Sequence, residues 1–92
     1  MPTTDPRHLA RRAERNVALG RLLAAARTRA GLSQAQAARR LGVPQTRIGK
    51  IELGQRAVTF VEGLEFAELY RVEPIELDPR TVGDESTSIS GR

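Results

Sequence analysis

Positions 34 to 51 read Gln34-Ala-Gln-Ala-Ala38-Arg-Arg-Leu41-Gly42-Val43-Pro-Gln-Thr-Arg-Ile48-Gly-Lys-Ile51. Apolar residues recur every three or four positions on both sides of Gly42, which is the spacing of amphipathic helices. Gly42 tolerates the left-handed backbone conformation that turns a chain sharply without strain. Ala38 is small enough for a following helix to cross close over it. The stretch therefore predicts two short helices joined by a tight turn.

The second of these helices has an inner and an outer face. Val43, Ile48 and Ile51 place one face on the core, and at about 100° per residue the opposite face then carries Thr46, Gly49 and Lys50, with Gln45 at its leading edge. An amide, a hydroxyl and an ammonium group can bond to base edges and to phosphates. Gly49 would allow a close approach to a phosphate backbone.

Helix-start and helix-stop signals extend the pattern towards the N-terminus. Asp5 is a typical N-cap, Pro6 follows at the first helical position, and Gly31 is a typical C-terminal stop. Between them runs a stripe with three- and four-residue spacing: Leu9, Ala13, Val17, Gly20 and Leu23. Two interpretations remain open, namely one long helix, or a short basic helix that leads into another from about Val17.

Similar signals continue towards the C-terminus. Ser33 with Gln36 and Thr59 with Glu62 form two capping boxes. Proline begins the helix after Gly42, and Gly54 ends it. The helix after Thr59 runs to about Arg71, with these residues predicted to face inward: Phe60, Leu64, Ala67 and Tyr70. Pro74 starts a last turn that holds Ile75 and Leu77, and residues 79–92 lack periodicity, which predicts a disordered tail.

Composition excludes several classes of protein. The chain has 92 residues, enough for one small domain, and only 3 % of them are aromatic, so strands are disfavoured. It has no cysteine and one histidine, so we expect neither a metal site nor a cofactor nor an enzyme. No apolar run approaches the roughly 20 residues of a membrane span. These features predict a cytoplasmic protein without a membrane partner.

Charge is distributed unevenly along the sequence. Residues 1–58 hold 12 Lys and Arg against 3 Asp and Glu, a net +9, whereas residues 59–92 hold 3 against 8, a net −5. The two parts sum to the formal charge of +4. A basic first part suits a polyanion, either nucleic acid or an anionic membrane surface.

The residues from Gly31-Leu32-Ser33-Gln34 to Ile51-Glu52-Leu53-Gly54 resemble the Cro/repressor-type helix-turn-helix proteins, also called the xenobiotic-response-element type. The resemblance runs from about Val17 to Leu77. It implies an all-α, compact bundle of about five helices of the lambda-repressor-like type, with a possible extra N-terminal helix. It also suggests a division into a basic arm or helix (1–16), a DNA-binding domain (17–78) and a tail (79–92). Pro44 replaces the usual Ser or Thr cap, and Gly49 a frequent serine.

The resemblance assigns roles to individual residues. By similarity, four residues of the second motif helix fall on base-contacting positions: Gln45, Thr46, Arg47 and Lys50. Gln34, Gln55 and Arg56 fall on phosphate-contacting positions. Arg27 and Glu52 fall on a pair that in relatives braces the first helix against the end of the recognition helix.

The function implied by this resemblance is sequence-specific binding of double-stranded DNA by a homodimer on an inverted repeat, with repression or autoregulation as the outcome. We place the dimer surface at the end of the fourth helix and in the last turn, where Leu69 is expected to be exposed if Ala67 and Tyr70 face inward, and where the domain ends with Tyr70, Val72, Ile75 and Leu77. The basic N-terminal helix is the second choice. Two alternatives remain. One is an antitoxin that holds a toxin and autoregulates its operon, and the other is a coregulator-like module that binds a protein partner.

Overall fold

The computed structural model describes residues 5–82. Within this range the chain forms five α-helices and one short 3-10 helix, without a strand. The helices are α1 Pro6–Arg29, α2 Gln34–Leu41, α3 Gln45–Glu52, α4 Phe60–Tyr70, the 3-10 helix Pro74–Leu77 and α5 Pro79–Val82. The predicted all-α bundle of about five helices is therefore confirmed.

The first helix is continuous over 24 residues, so it is one long helix and not a short basic helix that leads into another. Asp5 caps it by accepting a hydrogen bond from the backbone nitrogen of Arg7 at 2.9 Å. Residues 6–16 are thus the opening turns of α1 and not a separate helix or arm. Residues 1–4 of the predicted arm lie outside the described residues.

A glycine brings α1 against the end of α3. A Cβ atom added to Gly20 would lie 2.5 Å from the carbonyl oxygens of both Ile51 and Glu52, closer than real Cβ atoms come. Only glycine permits this approach. The contact holds α3 at a set position on α1, and the core forms around it from these residues: Leu23, Ala26, Ala37, Ala38, Ile48, Ile51, Phe66, Ala67, Tyr70 and Leu77.

The two motif helices begin and end as the local signals predict. The Ser33 hydroxyl accepts from the Gln36 backbone nitrogen at 3.0 Å, and the Gln36 side chain accepts from the Ser33 nitrogen at 2.8 Å. Gly42 ends α2 in the left-handed region with φ 71°. Ala38 is 3 % exposed under the crossing helix.

The inward face predicted for α4 is wrong in its first half. Phe60 is 80 % exposed and Leu64 41 % exposed, while Phe66, Ala67 and Tyr70 are buried. The reason is that Phe60 opens the helix at the edge of the core, whereas Phe66 lies over its centre. There its ring packs on that of Tyr70, with centroids 5.7 Å apart.

The C-terminal segment is ordered further than predicted. Leu77 of the 3-10 helix is 7 % exposed, and α5 packs against both α1 and the 3-10 helix. Residues 79–82 therefore form a helical turn and do not belong to a disordered tail. The rest of that predicted tail, residues 83–92, lies outside the described residues.

Candidate nucleic-acid interface

One face of α3 presents polar side chains to solvent. Gln45, Thr46 and Lys50 are exposed, and none of their side chains forms a hydrogen bond or ion pair with another described residue. Gly49 lies among them, and a Cβ at this position would have one neighbour, the Gln34 Oε1 atom at 3.7 Å. The face is therefore free to bind a ligand that forms hydrogen bonds with amide, hydroxyl and ammonium groups.

The start of α3 lacks a side-chain cap. The sequence predicts Pro44 at the first helical position. In the structure Pro44 is instead the N-cap residue, and it makes no capping hydrogen bond. The Gln45 side chain does not replace that cap. The backbone N–H groups of Gln45 and Thr46 thus remain available, as at other helix starts that bind anions, whereas that of Arg47 donates to the Pro44 carbonyl at 3.0 Å.

Glu52, the last residue of α3, is held by two side chains from other helices. Arg27 donates from Nε to Glu52 Oε2 at 2.6 Å and from Nη2 to Oε1 at 3.0 Å. Gln34 donates from Nε2 to the same Oε1 at 2.9 Å. The structure thus brings together the predicted pair and one predicted phosphate-contacting residue. We call these three residues the Glu52 clamp.

The clamp is largely shielded from solvent. Side-chain exposure is 16 % for Arg27 and 8 % for Glu52. The hydrogen bond to Glu52 raises the pKa of Arg27 although burial opposes it. Arg27 also donates from Nη1 to the Leu32 carbonyl at 2.8 Å, so the clamp links α1, α3 and the loop before α2. A bidentate pair of this kind fixes geometry as well as charge.

A second acidic residue, Glu62 in the first turn of α4, lies between two of the predicted DNA-contacting arginines. Arg47 Nη1 is 3.7 Å from Glu62 Oε2, and Arg56 Nη1 is 3.6 Å from Oε1. The backbone hydrogen bond from Thr59 lowers the pKa of Glu62, and both arginines lower it further. Arg47 therefore lies on the α4 side of α3, apart from the face formed by Gln45, Thr46 and Lys50.

The loop after α3 is fixed by a close contact with α1. Gly54 has φ +78°, and a Cβ on it would lie 2.6 Å from the Val17 Cγ2 atom and 2.7 Å from its Cα. Gln55 follows and is exposed. Arg56 follows in turn and also donates from Nη1 to the Ala57 carbonyl at 3.1 Å. Two predicted phosphate-contacting residues thus follow a glycine turn that is packed against α1 at the end of α3.

The helix-turn-helix domain family matches residues 18–79. The chain belongs to this family. As a helix-turn-helix domain, it has α2 as the first motif helix and α3 as the recognition helix.

A solved structure agrees with this assignment. The restriction-modification controller protein C.AhdI from Aeromonas hydrophila is 39 % identical and superposes with a TM-score of 0.62. The match covers 66 % of this chain and 92 % of the controller protein. No curated protein matches the sequence. The family and this neighbour support a DNA-binding transcription regulator, which is the general part of the function that the resemblance implies.

Two further observations on the helix-turn-helix domain concern metal sites and membrane-spanning helices. Within residues 5–82, no group of three or more His, Asp or Glu side chains has metal-binding geometry. No helix in that range is long and apolar enough to cross a membrane.

Sequence reasoning missed two features of this site. The first is Glu62, which it identified only as a helix cap and which also neighbours Arg47 and Arg56. The second is the bond from Gln34 to Glu52, because Gln34 was assigned to phosphate alone. The bonds from Gln34 and Arg47 join different helices, and the contact of Arg56 joins a loop to α4, so no pattern within a single helix signals them.

Proposed function

We propose that the protein is a transcription regulator of the cytoplasm that binds double-stranded DNA as a homodimer on an inverted repeat. The observation that carries the proposal is the exposed α3 face, where the side chains of Gln45, Thr46 and Lys50 have no partner within residues 5–82. The Glu52 clamp meanwhile fixes the end of this helix to α1 and α2. Similarity to a restriction-modification controller protein supports a regulatory role. Two recognition helices would enter successive major grooves about 34 Å apart.

In this proposal the side chains divide into two groups. Gln45 and Lys50 read bases, since an amide pairs with adenine and an ammonium with guanine, and Thr46 contacts either. Gln55, Arg56 and the edge residue Arg47 contact the sugar-phosphate backbone. Gln34 contacts the backbone through the second N–H of its Nε2 amide, because the first is donated to Glu52 Oε1. Backbone contacts position the domain and base contacts specify the site.

An apolar surface supports the homodimer. Phe60, Val61, Leu64 and Ile75 are 80, 62, 41 and 59 % exposed. Phe60 and Leu64 border a hollow of about 220 Å³ that includes Leu19, Val58 and Leu77. Exposed apolar groups clustered in this way mark contact sites. We therefore place the dimer surface at the beginning of α4 and not at its end, where Leu69 and Val72 are partly buried against the core.

Binding titrations on the upstream DNA of the gene and on scrambled duplexes test the division. Gln45→Ala is expected to cost about 1–3 kcal/mol on the specific site and much less on scrambled DNA. Arg56→Ala is expected to weaken both by similar amounts and to lower the salt slope by about one unit per contact removed. Arg39→Ala, which changes an exposed residue of α2 that is not assigned to DNA contact, is the control.

The same loss for Gln45→Ala and Arg56→Ala on both duplexes would contradict the assignment of the reading face. Equal affinity of the unaltered protein for specific and scrambled DNA, after selection of a site from a random pool, would contradict the sequence-specific part of the proposal.

A further inference from the structure

The ends of three helices meet around a cleft that no predicted DNA-contacting residue lines. The cleft has a volume of about 580 Å³ and lies among the C-terminal ends of α1, α2 and α4. One arginine at each helix end lines its wall: Arg29 of α1, Arg40 of α2 and Arg71, the residue directly after α4. A cleft of this size is in the range of small-molecule sites.

These three arginines have no partner within residues 5–82. None forms an ion pair or a side-chain hydrogen bond there. Glu65 and Glu68 line an adjoining hollow with Arg40 but do not pair with it. Three positive charges therefore border one cleft without a neutralising contact.

Compensation of helix ends does not account for them fully. Cations at a C-terminal end offset the helix dipole, but backbone N–H groups already bond the last carbonyls here. At α4, for example, the Arg71 nitrogen donates to the Glu68 carbonyl and the Val72 nitrogen to the Ala67 carbonyl at 3.0 Å. The guanidinium groups are thus not needed as caps and remain free to bind another anion.

Arg71 also occupies an unfavourable backbone conformation. It has φ 59°, and the other left-handed residues within the described range are all glycines: Gly31, Gly42 and Gly54. A glycine at position 71 would close α4 without the steric cost that a Cβ brings. The arginine therefore costs stability where it stands, and residues in such conformations concentrate at ligand sites.

We propose that this arginine cleft binds a small ligand with at least two phosphate or carboxylate groups. Guanidinium groups present planar pairs of N–H donors that match both anions. Three of them around one cleft bind a doubly or triply charged ligand better than a single anionic group. The site is separate from the α3 face and does not depend on the proposed DNA binding.

Isothermal titration of the full chain with inorganic diphosphate tests the proposal. One diphosphate per chain is expected to bind. Arg40→Ala and Arg71→Gly are each expected to weaken this binding about tenfold, the loss of one charge-assisted contact. Two matched variants that also remove one positive charge, Arg39→Ala on the same helix and Arg56→Ala at the DNA-contacting loop, are expected to change it by less than about twofold.

The control variants separate the cleft from general attraction of an anion to a basic protein. Absence of diphosphate binding would overturn the proposal. So would equal weakening by Arg39→Ala or Arg56→Ala, because the anion would then respond to net charge or to the DNA face. Circular dichroism of each variant verifies the fold, and Arg71→Gly is expected to remain folded because it relieves the left-handed conformation.

Discussion

At the scale of single residues, the position of the recognition helix depends most on Glu52. Its carboxylate accepts three hydrogen bonds from two residues of α1 and α2, and its side chain is only 8 % exposed. A shielded charge is tolerated only when it is paired. The position of the recognition helix and the integrity of the fold are therefore linked through one side chain.

Glu52→Gln is expected to lower the free energy of unfolding by about 3 kcal/mol, because it leaves the Arg27 charge shielded and uncompensated. Urea denaturation followed by circular dichroism measures it. Glu65→Gln, which removes an exposed carboxylate without an ion pair, is the control and is expected to change stability little. Equal effects of the two changes would mean that the clamp does not stabilise the domain.

Tyr70 makes stability depend on alkaline pH. Burial, helped by the nearby charge of Glu52 and opposed by that of Arg27, raises the pKa of Tyr70 from 10.0 to about 12. The folded state thus retains the phenolic proton longer than the unfolded state does. The stabilisation that arises from this pKa difference is fully present below about pH 10 and is lost as the pH rises towards 12.

Tyr70→Phe is expected to remove this part of the alkaline loss. At neutral pH it should leave stability equal or raise it by up to about 1 kcal/mol, since the Tyr70 hydroxyl is buried without a hydrogen-bond partner within residues 5–82. Denaturation curves between pH 7 and 11.5 for both proteins, read by circular dichroism, give the comparison. Parallel curves would contradict the role of Tyr70.

At the scale of helices, the fold requires that α1 and the end of α3 touch through backbone. Gly20→Ala is expected to cost about 2 kcal/mol, because its Cβ would meet two carbonyl oxygens that cannot move aside. Gly49→Ala is the matched change within a helix, and its Cβ would meet only an ordinary contact at 3.7 Å. That variant is expected to gain up to about 1 kcal/mol from helix propensity.

Thermal unfolding of both glycine variants checks this pair of predictions. A Gly20→Ala variant as stable as the Gly49→Ala variant would show that α1 can move away from α3. DNA binding by the Gly49→Ala variant then tests separately whether the face around this residue tolerates a methyl group.

Helix boundaries were predictable from sequence because their signals are local. Ser33 with Gln36 and Thr59 with Glu62 form their capping boxes within four residues, and Gly42 ends α2 with a bond to its own last turn. The inward face of α4 was not predictable, because apolar residues lie around most of its circumference. Only packing on the other helices selects Phe66 over Phe60 for the core.

At the scale of the whole molecule, charge and apolar surface have different locations. The net +9 of residues 1–58 includes the recognition helix and its loop, whereas the exposed apolar residues Phe60, Val61 and Leu64 begin the acidic part. A dimer formed through those residues doubles the number of cations that face one DNA duplex. Affinity is then expected to fall by about 10³ or more between 50 and 200 mM salt.

Phe60→Glu is expected to convert the dimer into a monomer and to reduce the salt slope on the specific site by about half. Analytical ultracentrifugation and binding titrations at several salt concentrations measure both quantities. Leu9→Glu is the matched control, because Leu9 is also exposed, at 48 %, but lies in the opening turns of α1. A monomeric Leu9→Glu protein beside a dimeric Phe60→Glu protein would place the interface on α1.

The aromatic content of the chain gives this domain an internal optical signal. It has one tyrosine and no tryptophan, so its ultraviolet emission comes almost entirely from the ring of Tyr70. That ring is buried, feels the charges of Arg27 and Glu52, and also lines the arginine cleft. Quenching or recovery of tyrosine fluorescence is therefore expected to report, without any attached dye, on changes around the Glu52 clamp and the arginine cleft when DNA is added.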